Sequence, residues 1–194
     1  MEECPPSTWA LRPSGGNIQP WAFVVATDAA VKALVGDIYR RAYHRYEKAL
    51  LTTLGDFRTP EDEASFHRGI EASRHLADNM STAPAIVAVC MPDIDLTLRD
   101  EDGPLDIGTL HASVFPAIQN LMVAARVLGI GSTMTTAFRI YQDDVRGALE
   151  IPEGMQIVAL LALGRPRGKF GVARRKPGRA VTHWNRFGNR EAPI

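Results

Sequence analysis

The stretch Arg12-Pro13-Ser14-Gly15-Gly16-Asn17-Ile18-Gln19-Pro20-Trp21 runs directly into a short hydrophobic segment, residues 22–26. Adjacent glycines carry no Cβ atoms, so the main-chain N–H groups there can approach a ligand closely. The side chains of Ser14, Asn17 and Gln19 add hydrogen-bond donors and acceptors beside that backbone. The pattern indicates a loop that holds a flat or anionic ligand against the head of a strand. An ordinary loop before an edge strand has the same spacing and stays open as the alternative.

The composition is that of one folded domain spanning residues 1–194. Of the 194 residues, 45% are hydrophobic and 23% are charged, which is typical of a globular protein. The formal net charge is zero, so no overall positive field would attract nucleic acid or an anionic membrane. The longest aliphatic run, residues 157–163, is too short to span a bilayer, and no secretory signal is visible. Two cysteines, Cys4 and Cys90, argue against a disulfide framework and for a reducing, cytoplasmic setting.

Hydrophobic patterning predicts strands that alternate with helices. Apolar runs predict strands at residues 21–26, 85–90, 132–136 and 156–163, of which the first and last are expected to be buried. Apolar residues at helical spacing predict a helix from a cap at Thr27 or Asp28 through Leu50, with Leu34 on its core face, and further helices at 61–80, 109–128 and 141–149. The pattern predicts an α/β or α+β domain with a sheet of at least four strands between helical layers.

The helix at 109–128 has two unusual features. Pro116 removes a main-chain hydrogen bond and predicts a kink, while Gly129 is placed to end the helix. Gln119 and Asn120 are adjacent polar residues in an otherwise apolar stretch. They lie either at the edge of the buried stripe or in a hydrogen-bonded helix interface between subunits.

Two polar segments interrupt the apolar pattern. Residues 92–104 are rich in acids, which predicts a solvated surface connection or a lid. The arm from residue 164 or 165 to 194 lacks apolar periodicity and has no acid before Glu191; its basic residues are Arg165, Arg167, Lys169, Arg174, Arg175, Lys176 and Arg179. A disordered basic tail with weak affinity for nucleic acid is the alternative, against which Trp184 and Phe187 suggest packing.

Familiar catalytic and binding motifs are missing. The five histidines show neither HExxH nor CxxC-type spacing, so no metal site is expected, and no GxSxG nucleophile elbow occurs. Residues 164–170 lack P-loop spacing, and no GxGxxG motif opens a helix after a strand. What remains is a Gly-Gly loop, a threonine-rich strand and a basic arm. Together they suit a mononucleotide-like cofactor whose phosphate lies at arginines and whose ring lies against the loops.

The chain resembles the FMN-dependent nitroreductases from about residue 9 onward. Residues 13–21 resemble the PSGGNxQPW flavin loop of that family, and 119–121 with 128–132 resemble its dimer helix and flavin strand. Residues 151–153 with 163–166 resemble its IPE…LGxP ending, and 174–177 with 181–185 resemble the basic clamp and closing segment of one branch.

The resemblance implies an α+β, three-layer sandwich with a mostly antiparallel central sheet and helices on both sides. It implies a homodimer with an extended C-terminal arm, and two FMN sites at the interface. NAD(P)H would reduce the flavin, and a small acceptor such as a nitroaromatic or a quinone would then take the electrons. The flavin carries the chemistry, so no side chain is assigned a catalytic role. The implied cofactor-binding residues are Ser14, Gly15, Asn17, Gln19, Met134, Thr135, Thr136, Arg174 and Arg175.

The N-terminus departs from the family pattern. The family has an Arg-Ser-x-Arg helix upstream of the loop that contacts the same phosphate, and residues 1–12 do not contain it. The departure indicates a genuine short form, a start assigned too far downstream, or an irregular N-terminal region. Loss of these contacts predicts weaker retention of FMN, by about 1.5–3 kcal/mol for each one. Two alternatives therefore accompany the oxidoreductase hypothesis: a non-catalytic flavin-binding or storage protein, and an impaired short form with weak FMN binding.

Overall fold

The computed structural model describes residues 14–54, 56–168, 171 and 175–192. These residues form ten helices and strands: β1 (Ala22–Ala26), α1 (Ala29–Thr53), α2 (Pro60–Asn79), β2 (Ala85–Pro92), β3 (Leu98–Asp100), β4 (Gly103–Leu105), α3 (His111–Val127), β5 (Gly131–Thr135), α4 (Gln142–Ala148) and β6 (Met155–Gly164). Short 3-10 turns lie at Gly15–Asn17, Met80–Thr82, Ala137–Tyr141 and Gly178–Ala180. The four predicted strands and four predicted helices are all present.

The helices begin and end where the sequence supplies capping groups. The carboxylate of Asp28 accepts hydrogen bonds from the N–H groups of Ala30 and Val31 at the start of α1. Thr59 caps α2 in the same way, with Pro60 at the first helical position. Gly129 follows α3 with φ +72°, a left-handed conformation that glycine adopts without strain. Helix α3 runs through Pro116 without interruption, and the predicted kink stays a prediction.

The main sheet has four antiparallel strands in the order β1-β2-β6-β5. One row across the sheet joins Val24 to Ala88, then to Leu160 and finally to Thr135. Strands β2 and β6 are therefore central, and β1 and β5 form opposite edges. This order places the glycine loop, which precedes β1, and the threonine-rich strand β5 at the two ends of the row.

Helices cover both faces of the sheet. One hydrophobic cluster joins α1, α2 and α4 to residues such as Ile86, Ala88 and Leu160. A second cluster joins α3 to the other face through Val87, Val89, Leu161 and their neighbours. Burial of these apolar side chains on both faces supplies the main stabilising free energy of the fold. The α+β class and the three-layer sandwich predicted from the sequence are confirmed.

An ion pair joins α1 to α2. Glu47 on α1 is buried, and the guanidinium of Arg74 on α2 donates to its carboxylate at N–O distances of 2.6 and 3.1 Å. A paired carboxylate tolerates burial that an isolated one would not. The pair is one of the contacts that join the two helices.

Two sequence-based expectations are wrong, and a third segment contains strands that the sequence did not predict. Strand β1 is half-exposed rather than buried, because it pairs only with β2 and forms an edge. Leu34 was expected in the core but is exposed on α1. The acidic segment 92–104 is solvated as expected, and together with Leu105 it forms the hairpin β3–β4, whose register pairs Leu98 with Leu105. Its tight turn is closed by Asp100, whose carboxylate accepts from the N–H groups of Asp102 and Gly103.

Among the described residues, no helix is both long and apolar enough to cross a membrane.

The thiol of Cys90 is expected to be unreactive in the folded protein. Burial in β2 raises the pKa of the Cys90 thiol to about 11 from 9.0, and only the thiolate reacts with disulfide reagents. A Cys4→Ser variant, which leaves Cys90 as the one cysteine of the chain, should therefore show no measurable reaction with Ellman's reagent at pH 8. In urea it should release one thiol equivalent. A rapid reaction before unfolding would contradict the buried position.

Candidate functional site

The glycine loop has an unusual backbone. Gly16, Asn17 and Gln19 have φ angles of +57°, +55° and +47°, in the left-handed region that most residues avoid. Glycine and asparagine enter this region at low cost, which explains their presence in the loop. The conformation turns the chain sharply before it enters β1.

Internal hydrogen bonds hold the loop in this shape. The N–H of Gln19 donates to the Ser14 hydroxyl oxygen at 2.9 Å, and the N–H of Gly15 donates to Ser113 Oγ, in α3, at 3.3 Å. The side-chain amide of Gln19 donates to Asn17 Oδ1 at 3.3 Å. The N–H groups of Gly15 and Gln19 therefore bond within the protein, and ligand contact by the main chain of the paired glycines stays a prediction. The loop still presents the exposed side chains of Asn17 and Gln19.

Alanine substitutions at the two glycines should have different effects. At Gly16 the positive φ makes any side chain strained, so Gly16→Ala should lower the free energy of unfolding by about 1 kcal/mol. At Gly15 an added Cβ meets nothing within 4 Å, so Gly15→Ala should be close to neutral. Urea denaturation of both variants measures the difference. Equal stabilities would show that the loop does not hold the left-handed conformation.

The threonine-rich strand borders a cavity of about 540 Å³. Its lining comes from β5 and the following turn on one side and from α1 and α2 on the other: Tyr39, Tyr43, Tyr46, Ala72, Ser73, His75, Leu76, Thr133, Met134, Thr135, Thr136 and Ala137. All three predicted strand residues, Met134, Thr135 and Thr136, are in this lining, and the Met134 side chain is 40% exposed. The structure thus brings the three together at one cavity.

Three tyrosines form the aromatic wall of this cavity. Tyr39, Tyr43 and Tyr46 recur along α1, and their successive ring centroids are 6.3 and 6.2 Å apart. The Tyr39 and Thr135 hydroxyls are hydrogen-bonded at 3.0 Å, and burial raises the pKa of Tyr39. Tyr39 therefore stays protonated at neutral pH and orients the Thr135 hydroxyl. The rings are tilted by 38° and 50° to one another, and they form an aromatic surface opposite a hydroxyl-rich strand.

A second, open cavity of about 610 Å³ adjoins the first, because His75 and Leu76 line both. Its other lining residues are Asn79, Met80, Thr82, Ala83, Pro84, Arg165 and Arg167. Neither the tyrosine wall nor these two arginines was singled out as a site from the sequence. The tyrosines were interpreted as helix core, and the arginines as members of a basic arm. The repeat of tyrosine at helical spacing on α1 is the signal that could have identified the wall.

The loop and the strand do not meet within one chain. Strands β1 and β5 are separated by β2 and β6, a distance of about 14 Å at the usual spacing between strands. The predicted loop residues Ser14, Gly15, Asn17 and Gln19 and the predicted strand residues therefore lie at opposite edges of the sheet. The cavity that Met134, Thr135 and Thr136 line has none of these four loop residues in its described lining.

The two predicted phosphate ligands lie in the arm. Arg175 is exposed, and Arg174 lies outside the described residues. Apart from the 3-10 turn Gly178–Ala180, the described part of the arm has neither helix nor strand. Within the described ranges, no cluster of three or more His, Cys, Asp or Glu residues is arranged to hold a metal ion.

Comparisons with known proteins agree with the fold. Residues 8–165 match the Nitroreductase family. The 5,6-dimethylbenzimidazole synthase of Rhodospirillum rubrum is 29% identical over 166 residues, covering 84% of this chain and 69% of that protein. The structure of oxidized iodotyrosine deiodinase bound to FMN and 3-iodo-L-tyrosine is similar, with a TM-score of 0.66, 19% identity, and coverage of 93% of this chain and 84% of that one. The FMN and NADPH-dependent nitroreductase NfnB from Sphigopyxis sp. strain HMH gives a TM-score of 0.64, 19% identity, and coverage of 93% and 86%.

The family match spans most of the chain and includes the glycine loop, the threonine-rich strand and all of β6. The two solved structures, each 19% identical to this chain, have the same fold. The resemblance inferred from the sequence motifs is confirmed. The chain belongs to the nitroreductase family.

Proposed function

We propose that the protein is an FMN-dependent oxidoreductase of the nitroreductase type, which uses NAD(P)H to reduce nitroaromatics, quinones or similar small acceptors. The observation that carries the proposal is the 540 Å³ cavity between the tyrosine wall and the threonine-rich strand, set in a nitroreductase fold. Bound FMN would supply the redox chemistry, accepting a hydride from NAD(P)H and passing electrons to the acceptor. The chain itself would bind and orient the cofactor.

The residues at the cavity fit a flavin ring. Apolar and aromatic side chains suit the flat ring, and the hydroxyls of Thr133, Thr135 and Thr136 can hydrogen-bond to its polar edge. Met134 lies beside them with part of its side chain open to solvent. We assign Met134, Thr135 and Thr136 to the ring, Ser14, Gly15, Asn17 and Gln19 of a second chain to the ring and ribityl chain, and Arg174 and Arg175 to the phosphate.

A homodimer is part of this proposal. Helix α3 carries Phe115, Gln119, Val123 and Val127 at four-residue spacing on its outer face, and Val127 is 81% exposed. An apolar stripe of this kind is typical of a subunit interface. Gln119 belongs to the stripe, which favours the interface role considered for it from the sequence. The scarcity of cysteine favours a reducing, cytoplasmic compartment.

Titration with FMN tests the proposal. The purified protein should take up one FMN per chain, with quenching of flavin fluorescence and a shifted absorbance band near 450 nm. Native mass spectrometry should then show two chains with two FMN. A protein that binds no added FMN under these conditions would contradict the proposal. If FMN binds but neither nicotinamide nucleotide reduces it, the non-catalytic flavin-binding alternative is favoured.

A second candidate function is synthesis of 5,6-dimethylbenzimidazole. It is favoured by the 29% identity to the Rhodospirillum rubrum enzyme of that name. The product shares a dimethyl-substituted benzene ring with the flavin ring system. Chromatography and mass spectrometry of a reaction with reduced FMN in air would detect this product. Its formation at catalytic rates, without turnover of nitroaromatics, would favour this function over the first.

A further inference from the structure

We propose that Arg165 and Arg167 form a phosphate-binding site for the cofactor, at the open cavity that adjoins the tyrosine-lined one. This inference rests on the proposed FMN function and adds two phosphate ligands to Arg174 and Arg175. His75, Asn79 and Thr82 supply further polar groups at the same cavity. The ligand is a phosphate monoester, which both FMN and NADPH carry, and we assign the site to the phosphate of FMN.

The first argument is charge. Arg165 and Arg167 both line the cavity, and in the described part of the chain neither forms a hydrogen bond or an ion pair with another protein group. No acidic side chain is among the described residues that line this cavity. Like charges that line one cavity repel, and a bound anion would relieve the repulsion between the two guanidinium groups. The planar guanidinium also matches phosphate oxygens with paired hydrogen bonds.

The second argument is that the fold fixes the backbone at the end of β6, next to the 82–84 turn. Arg165 directly follows Gly164, the last residue of β6, which pairs with Gly131 of β5. A Cβ added to Gly164 would lie 3.0 Å from Pro84 Cδ, so the strand end and the 82–84 turn are in close contact. Lys32 Nζ donates to the carbonyl oxygens of Ala83 and Pro84 at 2.8 and 3.3 Å. The backbone around the cavity is therefore held by several contacts.

The third argument is the distance between the proposed positions of the flavin ring and of the phosphate. The two cavities are contiguous along α2, where His75 and Leu76 line both. Along β5, Thr135 and Gly131 are four residues apart, or about 13 Å in an extended strand. A ring at Thr135 therefore leaves room for a ribityl chain to pass along the strand. Its phosphate would reach the arginines just beyond Gly131 and Gly164.

The 82–84 side of the cavity is preorganised by local hydrogen bonds. The Thr82 hydroxyl donates to the carbonyl oxygen of Asn79 at 2.8 Å, and the Asn79 amide donates to the carbonyl oxygen of His75 at 2.8 Å. These bonds hold the end of α2 and the next turn in one conformation. Phosphate binding therefore costs little conformational entropy on this side of the cavity.

The test compares FMN with riboflavin, which has the same ring and ribityl chain without the phosphate. We expect the double variant Arg165→Gln/Arg167→Gln to raise the dissociation constant of FMN about 100-fold, or about tenfold for each arginine. In the same double variant, the dissociation constant of riboflavin should change by less than about twofold. The variant Arg165→Lys/Arg167→Lys keeps the charges without the planar groups and should lose less affinity. Arg68→Gln, an exposed arginine on α2 away from both cavities, is the matched control.

The outcomes separate the site from the cofactor proposal. Unchanged FMN affinity in the glutamine variant overturns the site while leaving FMN binding intact. Equal losses for FMN and riboflavin also overturn it, because the effect would not depend on the phosphate. Unchanged FMN affinity with weaker NADPH binding would assign the arginines to the nicotinamide nucleotide instead. If the unsubstituted protein binds neither flavin, both the proposed function and this site are refuted.

Discussion

Replacing Gly36 by alanine is expected to lower the free energy of unfolding by about 2–3 kcal/mol, because α1 is packed too closely for a side chain there. A Cβ at Gly36 would lie 2.7 Å from Ser81 Cβ, 2.8 Å from Ser81 N and 3.0 Å from Ser81 Cα. Backbone atoms cannot rotate away, so the helix itself must shift. The gain in helix propensity, about 1 kcal/mol, offsets only part of this cost.

Gly69→Ala is the matched control for this substitution. Gly69 lies in α2, where an added Cβ meets nothing within 4 Å, so alanine should raise the free energy of unfolding by about 1 kcal/mol. Urea denaturation of the two variants should therefore give shifts of opposite sign. Because α1 also carries Tyr39, Gly36→Ala should reduce FMN affinity as well, whereas Gly69→Ala should not. Equal stability of the two variants would contradict the close contact between α1 and the turn at Ser81.

Mixed dimers of two blocked variants should regain one FMN site. Gly15→Trp places a large ring in the open space beside the loop, and Met134→Trp places one at the mouth of the tyrosine-lined cavity. Each variant alone should bind FMN about 100-fold more weakly, a loss of about 2.7 kcal/mol. In a mixed dimer, one site combines both substitutions and the other combines the unchanged loop with the unchanged strand. One FMN per mixed dimer should bind with normal affinity.

This result depends on the sheet order. If the loop and the strand of the same chain formed one site, each chain of the mixed dimer would still carry a block, and no site would recover. Co-expression with two affinity tags yields the mixed dimer, and FMN titration gives the number of sites. Mixtures of each variant with the unsubstituted chain serve as controls and should also retain one site. If these control mixtures retain one site and the doubly blocked mixture retains none, the result contradicts a site shared between chains.

The sequence predicted the pieces of the site better than their arrangement. The glycine loop and the segment 133–136 each have a local pattern: paired glycines before a strand, and a short threonine-rich run after a glycine-ended helix. The family resemblance, and not this pattern, assigns Met134, Thr135 and Thr136 to the flavin ring. The positions of the loop and the strand at opposite edges depend on which strands pair. That order is set by contacts between residues far apart in the chain, such as Val87 with Leu161, which local patterns do not encode.

The same dependence on contacts between distant residues explains the other features that the sequence did not predict. Residues 21–26 are apolar enough for a buried strand, but an edge position exposes Val25. Tyr39 and Tyr43 have the spacing of core residues on a helix, and both are buried, yet they also line a cavity. Arg165 and Arg167 look like any basic residues of the arm until β6 and the turn at Pro84 bring them beside α2. Cavities form between elements, so their lining is visible only after the elements are packed.

Anaerobic reduction of the FMN-loaded protein by NADPH or NADH is the most direct test of the account. Flavin absorbance near 450 nm should be lost on mixing with at least one of the two nucleotides, and it should return when a nitroaromatic or a quinone is added. The reduced acceptor should accumulate over many turnovers per chain. Flavin that binds but is reduced by neither nucleotide, or that returns no electrons to any acceptor, would contradict an FMN-dependent oxidoreductase.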